Sequence, residues 1–276
     1  RVQDRPRFRA SASVRFDDFE RAVTAVRAIA QAGLYPANCR LLDPAEGAFS
    51  GSGDGQRALL VLGFESADHA LGPWLERALE LARDFGGQAD PAPADGGHRQ
   101  GAAGAWRDAF LRMPYWRDPL VGSGLILDTF ETAVTWDRFA AFYDAVRQGV
   151  ADIAQRATGH EAFVSCRFTH VYPDGPAPYF TFAVPGGAAG DVASALAAWR
   201  DIKRGINDLI IEHGGTSTHH HAVGRDHRPA YEREVPALVR QMLRAAKRVA
   251  DPAGIMNPGV LVDPWGADDG PRGALA

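Results

Sequence analysis

The same order of patterned segments occurs twice along the chain, and that repetition limits the fold more than any other feature. Residues 8–16, FRASASVRF, alternate as a strand does, and 17–33 place Phe19, Val23, Val26 and Ala30 at helical spacing. NCRLLD and RALLVLGFE read as two further strands, and 66–85 aligns Leu71, Trp74, Leu75, Ala78, Leu79 and Phe85 on one helical face. The order then recurs. GLILDTFETAV is a strand, and 135–156 is a helix with Phe139, Phe142, Val146, Val150 and Ile153 in phase. AFVSCRFTHVY and PYFTFAV pair about the turn PDGP, and 190–213 is again a helix. NCRL and SCRF fall at corresponding places in the two halves. Strand–helix–strand–strand–helix taken twice predicts an α+β fold: a duplicated, ferredoxin-like antiparallel sheet with helices on one face. The halves run about 1–104 and 105–222, followed by a C-terminal helical segment, 223–276.

Local signals refine the boundaries. Asp17 and Glu20 suit a capping box for the first helix, and Gly33 suits its end. Asp191 suits the N-cap of 190–213, whose buried face is expected to be Val192, Leu196, Trp199, Ile202, Ile206 and Leu209. A last helix is expected over 229–249, opened by Pro229, with Glu232 and Glu234 early and Lys247 and Arg248 late, and stopped by DPAG. Residues 44–56 and 86–104 read as loops.

Composition excludes several classes of function. The net charge is −4 with no basic run, which argues against binding nucleic acid through phosphates. No window of about 18 uninterrupted apolar residues occurs, and nothing in the pattern indicates contact with a membrane surface. The two cysteines, Cys39 and Cys166, cannot form a disulfide framework, which points to a reducing compartment such as the cytoplasm. The opening RVQDRPRFRA lacks an initiator Met and a signal-type core, so the chain is expected to be a piece of a longer protein. A homodimer is compatible with all of this.

Three consecutive histidines stand inside GGTSTHHHAVGRDH, residues 214–227, between two helical segments. Their internal position argues against a tag remnant. If 216–222 is extended, His219 and His221 face one way and His220 the other, so the three do not share one metal ion, and no metal is expected. Two of them with a distant third ligand is the alternative.

That segment, followed one helix later by DPAGIMNPGVL, resembles the C-terminal signature of FAD-linked oxidases of the vanillyl-alcohol oxidase superfamily, most nearly the alkyldihydroxyacetonephosphate synthase branch. The similarity extends to LILDTFETAVTWDRF, SCRFTHVYPDG, PYFTFA and residues 5–43, and so to nearly the whole chain. The resemblance implies a cap domain that covers the flavin ring and forms most of the substrate site. The FAD would be bound mainly by an N-terminal domain outside this chain. Members of that branch exchange the acyl chain of acyl-dihydroxyacetone phosphate for a fatty alcohol, a step of ether-lipid synthesis without net oxidation. By motif position, Tyr179 of YFTF is implied as acid/base, and Arg117 of YWRD as ligand of the substrate phosphate. Arg40 of CRLLD is implied to be needed for activity, with His219, His220 and His221 beside the flavin. His220 and Asn257 are implied on the cofactor side.

The residue types suit this chemistry. Removing a proton beside a carbonyl requires a close base and stabilisation of the developing charge. A tyrosine is a poor base at its ordinary value of about 10, so neighbouring cations such as Arg40 or protonated imidazoles would favour its phenolate. An arginine fork suits a phosphate- or carboxylate-bearing small molecule. By pattern alone Tyr179 is more often a strand-start residue and Arg117 a surface charge, and Arg40 could pair with an acid such as Asp43. An FAD-linked oxidoreductase acting on a 2-hydroxy acid or alcohol is the alternative function, and IMNPGVL is similar to that branch. A non-catalytic α+β binding module is a third.

Overall fold

The computed structural model describes residues 4–90 and 101–265. The elements run β1 (Phe8–Phe16), α1 (Phe19–Gln31), β2 (Asn38–Leu42), α2 (Pro44–Ser50), β3 (Ala58–Ser66), α3 (Gly72–Asp84), β4 (Gln88–Ala89) and α4 (Gly101–Gly122). They continue with β5 (Leu125–Glu131), α5 (Phe139–Thr158), β6 (Phe163–Val171), β7 (Pro176–Pro185), α6 (Val192–Glu212), α7 (Arg228–Glu234) and α8 (Ala237–Ala250). One seven-stranded antiparallel sheet has the order β4-β1-β3-β2-β6-β7-β5. The expected α+β class and internal duplication are therefore both present: β1-β3-β2 mirrors β5-β7-β6 across a seam. That seam is narrow, with the single pair Leu42–Arg167 and the bond from Asp43 N to Cys166 O at 3.0 Å.

Strand alternation sorts the side chains. Leu41, Leu60, Leu62, Cys166, Phe168, Phe180 and Phe182 face α1, α3, α5 and α6 and share one buried core with Val26, Ile29, Val146, Ile202 and Ile206. Leu42, Leu59 and Val61 point the other way, where Trp106 of α4 and Met113 cover them. The principal helices thus lie on one face, as expected, and α2 and α4 occupy part of the other.

Both α2 and the start of α4 fall in segments expected to be loops, 44–56 and 86–104; residues 91–100 lie outside the described residues. Asp18, not Asp17, caps α1, accepting from Arg21 N at 3.0 Å, because Phe19 anchors the first turn against Tyr143 with ring centroids 4.9 Å apart. Val192 and Leu196 are 73% and 41% exposed rather than buried. The first turns of α6 overhang the edge strand β5, and these residues line a groove of about 260 Å³ with Val121 and Ile126. The single helix expected over 229–249 is two helices, since Pro236 supplies no N–H to continue the ladder. Lys247, near the end of α8, donates to Asp251 and to Met256 O, at 2.9 and 2.7 Å.

Candidate active site

In the middle of β5, β6 and β7 the residues pointing away from the core are polar: Thr129 and Glu131, Ser165 and Arg167, Tyr179 and Thr181, with Leu127, Phe163 and Ala183 apolar at one end of that face. Register sets Arg167 opposite Tyr179 and Tyr179 opposite Glu131, so the three form a row across three strands. The Tyr179 hydroxyl shares a hydrogen bond with Thr129 Oγ1 at 2.8 Å. The Arg167 guanidinium lies 3.9 Å from the Tyr179 ring centroid.

Arg167 is fixed from below by α2. Its Nη1 donates to Glu46 Oε1 at 2.5 Å, and Ser165 Oγ donates to Glu46 Oε2 at 2.6 Å, with Glu46 wholly buried. Asp43, the N-cap of α2, accepts from Glu46 N at 2.7 Å, Cys166 N at 2.9 Å and the Tyr143 hydroxyl at 3.0 Å. Burial pushes the Asp43 carboxyl up to about 6 despite these bonds. A cavity of about 390 Å³ opens above the row. Arg117, Arg167, Tyr179, Thr129 and Asp128 give it a polar side, and Phe49, Leu111, Met113 and Trp116 an apolar one.

The triple histidine borders Tyr179. Gly214 has φ +76°, and a Cβ on Gly215 would stand 2.7 Å from the Phe142 ring, so the glycine pair lets the chain leave α6 close against its own core. Thr216 then pairs with the chain just after β5, its Oγ1 accepting from Ala133 N at 2.9 Å, and Ser217 N donates to Glu234 at 2.7 Å. From there the backbone turns, with Thr218 Oγ1 donating to His221 O at 2.8 Å. The segment is not extended, so the expected alternation fails: His219 and His220 both approach Glu131, while the His221 ring meets Tyr179 edge-on with centroids 5.2 Å apart.

Glu131 is wholly buried beneath an imidazole shelf. Thr169 Oγ1 donates to it at close range and His220 Nδ1 is in direct contact; His219 Nδ1 and His170 Nδ1 each stand 3.5 Å away. A register shift between Phe168 and His170 lets β6 bring Thr169 and His170 to this carboxylate. Burial alone would raise Glu131; the Thr169 hydroxyl and the His220 and His219 imidazoles outweigh it and hold the carboxyl below its usual range. Burial lowers His170 and His221 against the pull of Glu131. Glu131, His170, His219 and His220 each offer one donor atom within 4.8 Å of the others, a set that a divalent cation could use. Metal ligation thus has a geometry that strand alternation had argued against.

Comparison with known proteins identifies the family. The family described as FAD linked oxidases, C-terminal domain, matches residues 5–261. The chain belongs to that family. Curated relatives named alkyldihydroxyacetonephosphate synthase include one from Trypanosoma brucei brucei, 25% identical over 90% of this chain and 42% of its own length. Another, from Caenorhabditis elegans, is 31% identical over 68% of this chain and 30% of its own. The chain therefore spans less than half the length of the relatives it matches. A solved alkyldihydroxyacetonephosphate synthase superposes with TM-score 0.65 at 20% identity, covering 92% of this chain and 45% of that one. p-Cresol methylhydroxylase with substrate bound superposes with TM-score 0.57 at 14% identity, over 92% of this chain and 52% of that one. These superpositions establish a shared fold.

Within the family domain, Tyr179 and Arg117 line one cavity, and the triple histidine adjoins it. Arg40 lies over the Trp106 ring, 5.9 Å from its centroid, and Asp43 is engaged by Glu46, Tyr143 and Cys166. The cation against Tyr179 is Arg167. Asn257 is exposed in the loop after α8, with φ +48°. Arg167, Glu46, Glu131 and His170 were missed. The repeated dipeptide Cys-Arg in NCRL and SCRF was the available signal for Arg167; Glu131 and His170 look like ordinary strand residues until register and bulge bring them together.

Proposed function

We propose that this chain is the substrate-binding cap of an FAD-dependent enzyme of the alkyldihydroxyacetonephosphate synthase type. One observation carries the reading: Tyr179 and Arg117 face a single cavity of about 390 Å³. That is room for a small anionic carbonyl compound. Arg117 would hold the phosphate through its planar fork. Tyr179 would take the proton from the carbon beside the carbonyl, its hydroxyl kept in place by Thr129. Phe49, Leu111, Met113 and Trp116 would exclude water from the reacting end.

The residues at the shelf fit a flavin. His170 and His220 are about half exposed, with a buried carboxylate behind them, so their imidazoles can present N–H donors to the carbonyl-rich edge of such a ring. FAD, when bound, supplies an electron-accepting centre, and we assign its main binding site to an N-terminal domain. Asn257 we assign to the same cofactor side.

The test uses the full-length holoprotein. Tyr179→Phe should retain FAD and lose about 100-fold or more in turnover of an acyl-dihydroxyacetone phosphate with a fatty alcohol. Undiminished turnover would overturn the role of Tyr179. Reduction of the flavin by a 2-hydroxy acid under anaerobic conditions would favour the oxidoreductase reading instead.

A further inference from the structure

We infer that Arg167, held by Glu46, is the residue that positions Tyr179 and stabilises its phenolate form, and that Arg40, its counterpart in the first half, does not. The inference rests on the acid–base duty proposed above. A tyrosine that gives and takes a proton needs its negative form stabilised without a bond that locks the oxygen. A guanidinium against the ring face does this, because its attraction to a phenolate ring exceeds that to a neutral one. At 3.9 Å from the ring centroid, Arg167 is in that position by direct cross-strand pairing.

Three features make this a built device rather than a chance contact. Arg167 is 4% exposed and its charge is permanent, so it cannot lose its proton to the site. Its partner Glu46 is wholly buried and is itself placed by α2, a seven-residue helix capped by Asp43 at the seam of the two halves. Finally, Arg167 Nε is buried without a hydrogen-bond partner, so the side chain is not placed to satisfy all its donors. Its orientation instead serves Glu46 on one side and the Tyr179 ring, 3.9 Å away, on the other, with the Trp106 ring farther off at 5.4 Å and Thr181 Oγ1 3.5 Å from Nη1. Arg40 has the same place in the repeat and shares the Trp106 ring with Arg167, at 5.9 and 5.4 Å from its centroid, but its cross-strand partner is Val61 and not a tyrosine. His221, edge-on to the ring, and Thr129, bonded to the hydroxyl, complete the surroundings of Tyr179.

The test reads the phenolate on the chain by itself. Tetranitromethane nitrates tyrosine through its phenolate form, and trypsin releases Tyr179 and Tyr172 together, in the peptide 168–200 or, where Gln replaces Arg167, in 157–200. Mass spectrometry then gives the ratio of Tyr179 to Tyr172 nitration, with Tyr172 as internal reference. Arg167→Gln alone leaves Glu46 buried and unpaired and so endangers folding. The double variant E46Q/R167Q removes both charges together, leaves no unpaired buried ion and keeps polar side chains at both positions. Its ratio should fall about tenfold, the change that about 1.4 kcal/mol of lost phenolate stabilisation gives. Glu46→Gln should raise the ratio, since it leaves the guanidinium unneutralised. Arg167→Lys should restore most of it, and Arg40→Gln should change it less than about twofold. A purely structural role would not move Glu46→Gln and the double variant in opposite directions. Equal ratios in all variants, or an equal fall in Arg40→Gln, overturn the inference. If Tyr179→Phe keeps full turnover while this pattern holds, the acid–base reading fails and the positioning stands. If Tyr179→Phe is inactive and the pattern is absent, the inference alone fails.

Discussion

The two halves share a chain path and a Cys-Arg dipeptide, yet they use the outer face of the sheet in opposite ways. In the first half Leu42, Leu59 and Val61 of that face, with Arg40, Ser13 and Arg15 beside them, are closed by Trp106 of α4 into a small apolar cluster. In the second the corresponding strands present Arg167, Tyr179, Thr181 and Thr129, and the face stays open as a cavity. Apolar strand faces invite a lid because burying them is favourable, about 25 cal/mol for each Å² removed from water. Polar faces with their own hydrogen bonds do not. The duplicated scaffold is therefore neutral about function, and the outward-facing residues of three strands decide which half becomes a site.

The strongest way to break this comparison is to delete the two matched arginines. Arg167→Met leaves the Glu46 carboxylate buried and alone, and loss of one partner from a buried pair costs about 3–5 kcal/mol. Arg40→Met, at a half-buried position over Trp106, should cost about 1 kcal/mol. Urea unfolding of both variants measures the difference. Equal losses would mean that the halves are electrically equivalent and that the Glu46 pair is not the centre of the second.

Much of this contrast was legible in the order and alternation of residues. Alternation in SCRF, YFTF and LDTFE separates phenylalanines from polar residues, and the repeat order implies the two-part sheet. The hidden parts have physical reasons. PAEGAFS is short and contains Pro and Gly, so α2 owes its existence to burial of Glu46 and capping by Asp43 rather than to propensity. In α4, internal glycines and prolines and scattered apolar residues leave no single stripe to detect. Register was not readable either, and without it Arg167 and Tyr179 are two residues on separate strands. Strand alternation does not govern the histidines, because the segment turns at Thr218–His221 and brings His219 and His220 to the same carboxylate.

Acid sensitivity should next separate the surroundings of the matched helices α6 and α3. His227, beside Asn207 of α6 with Nδ1 3.2 Å from its Oδ1, is pushed down to about 4 by burial, with Lys203 adding to the effect. As pH falls from about 6.5 to about 4, the unfolded chain takes up a proton that the folded chain refuses, so stability is lost across that window and the loss levels off below it. Asp43 at the seam works in the opposite sense, because its raised carboxyl is protonated in the fold before it is in the unfolded chain. The net slope of the wild type therefore mixes both, and His227→Gln isolates the histidine. The variant should lose on the order of 2 kcal/mol less than the wild type between pH 6.5 and 4. The helix matching α6 in the first half, α3, buries Ala78 and Ala82, neither of which titrates. Identical pH profiles for wild type and variant would remove His227, packed on α6 from the C-terminal segment, as a source of acid sensitivity.

The smallest expected effect concerns how the matched helices α6 and α3 begin. Asp191 caps α6, its Oδ1 accepting from Ser194 N at 3.1 Å, whereas α3 starts at Leu71 without a side-chain cap. Leu71 is buried in the core, so α3 is secured at its start by packing. The first turns of α6 overhang the sheet edge with Val192 and Leu196 exposed, and packing there is weak. Capping must then do what packing does in α3. Asp191→Ala should cost about 1 kcal/mol and speed hydrogen exchange of amides in the first turn of α6 while leaving α3 unchanged. Unchanged exchange in that turn would show that the groove wall formed by Val192, Ala195 and Leu196 holds the helix end without its cap, and that the two halves start these helices by the same means.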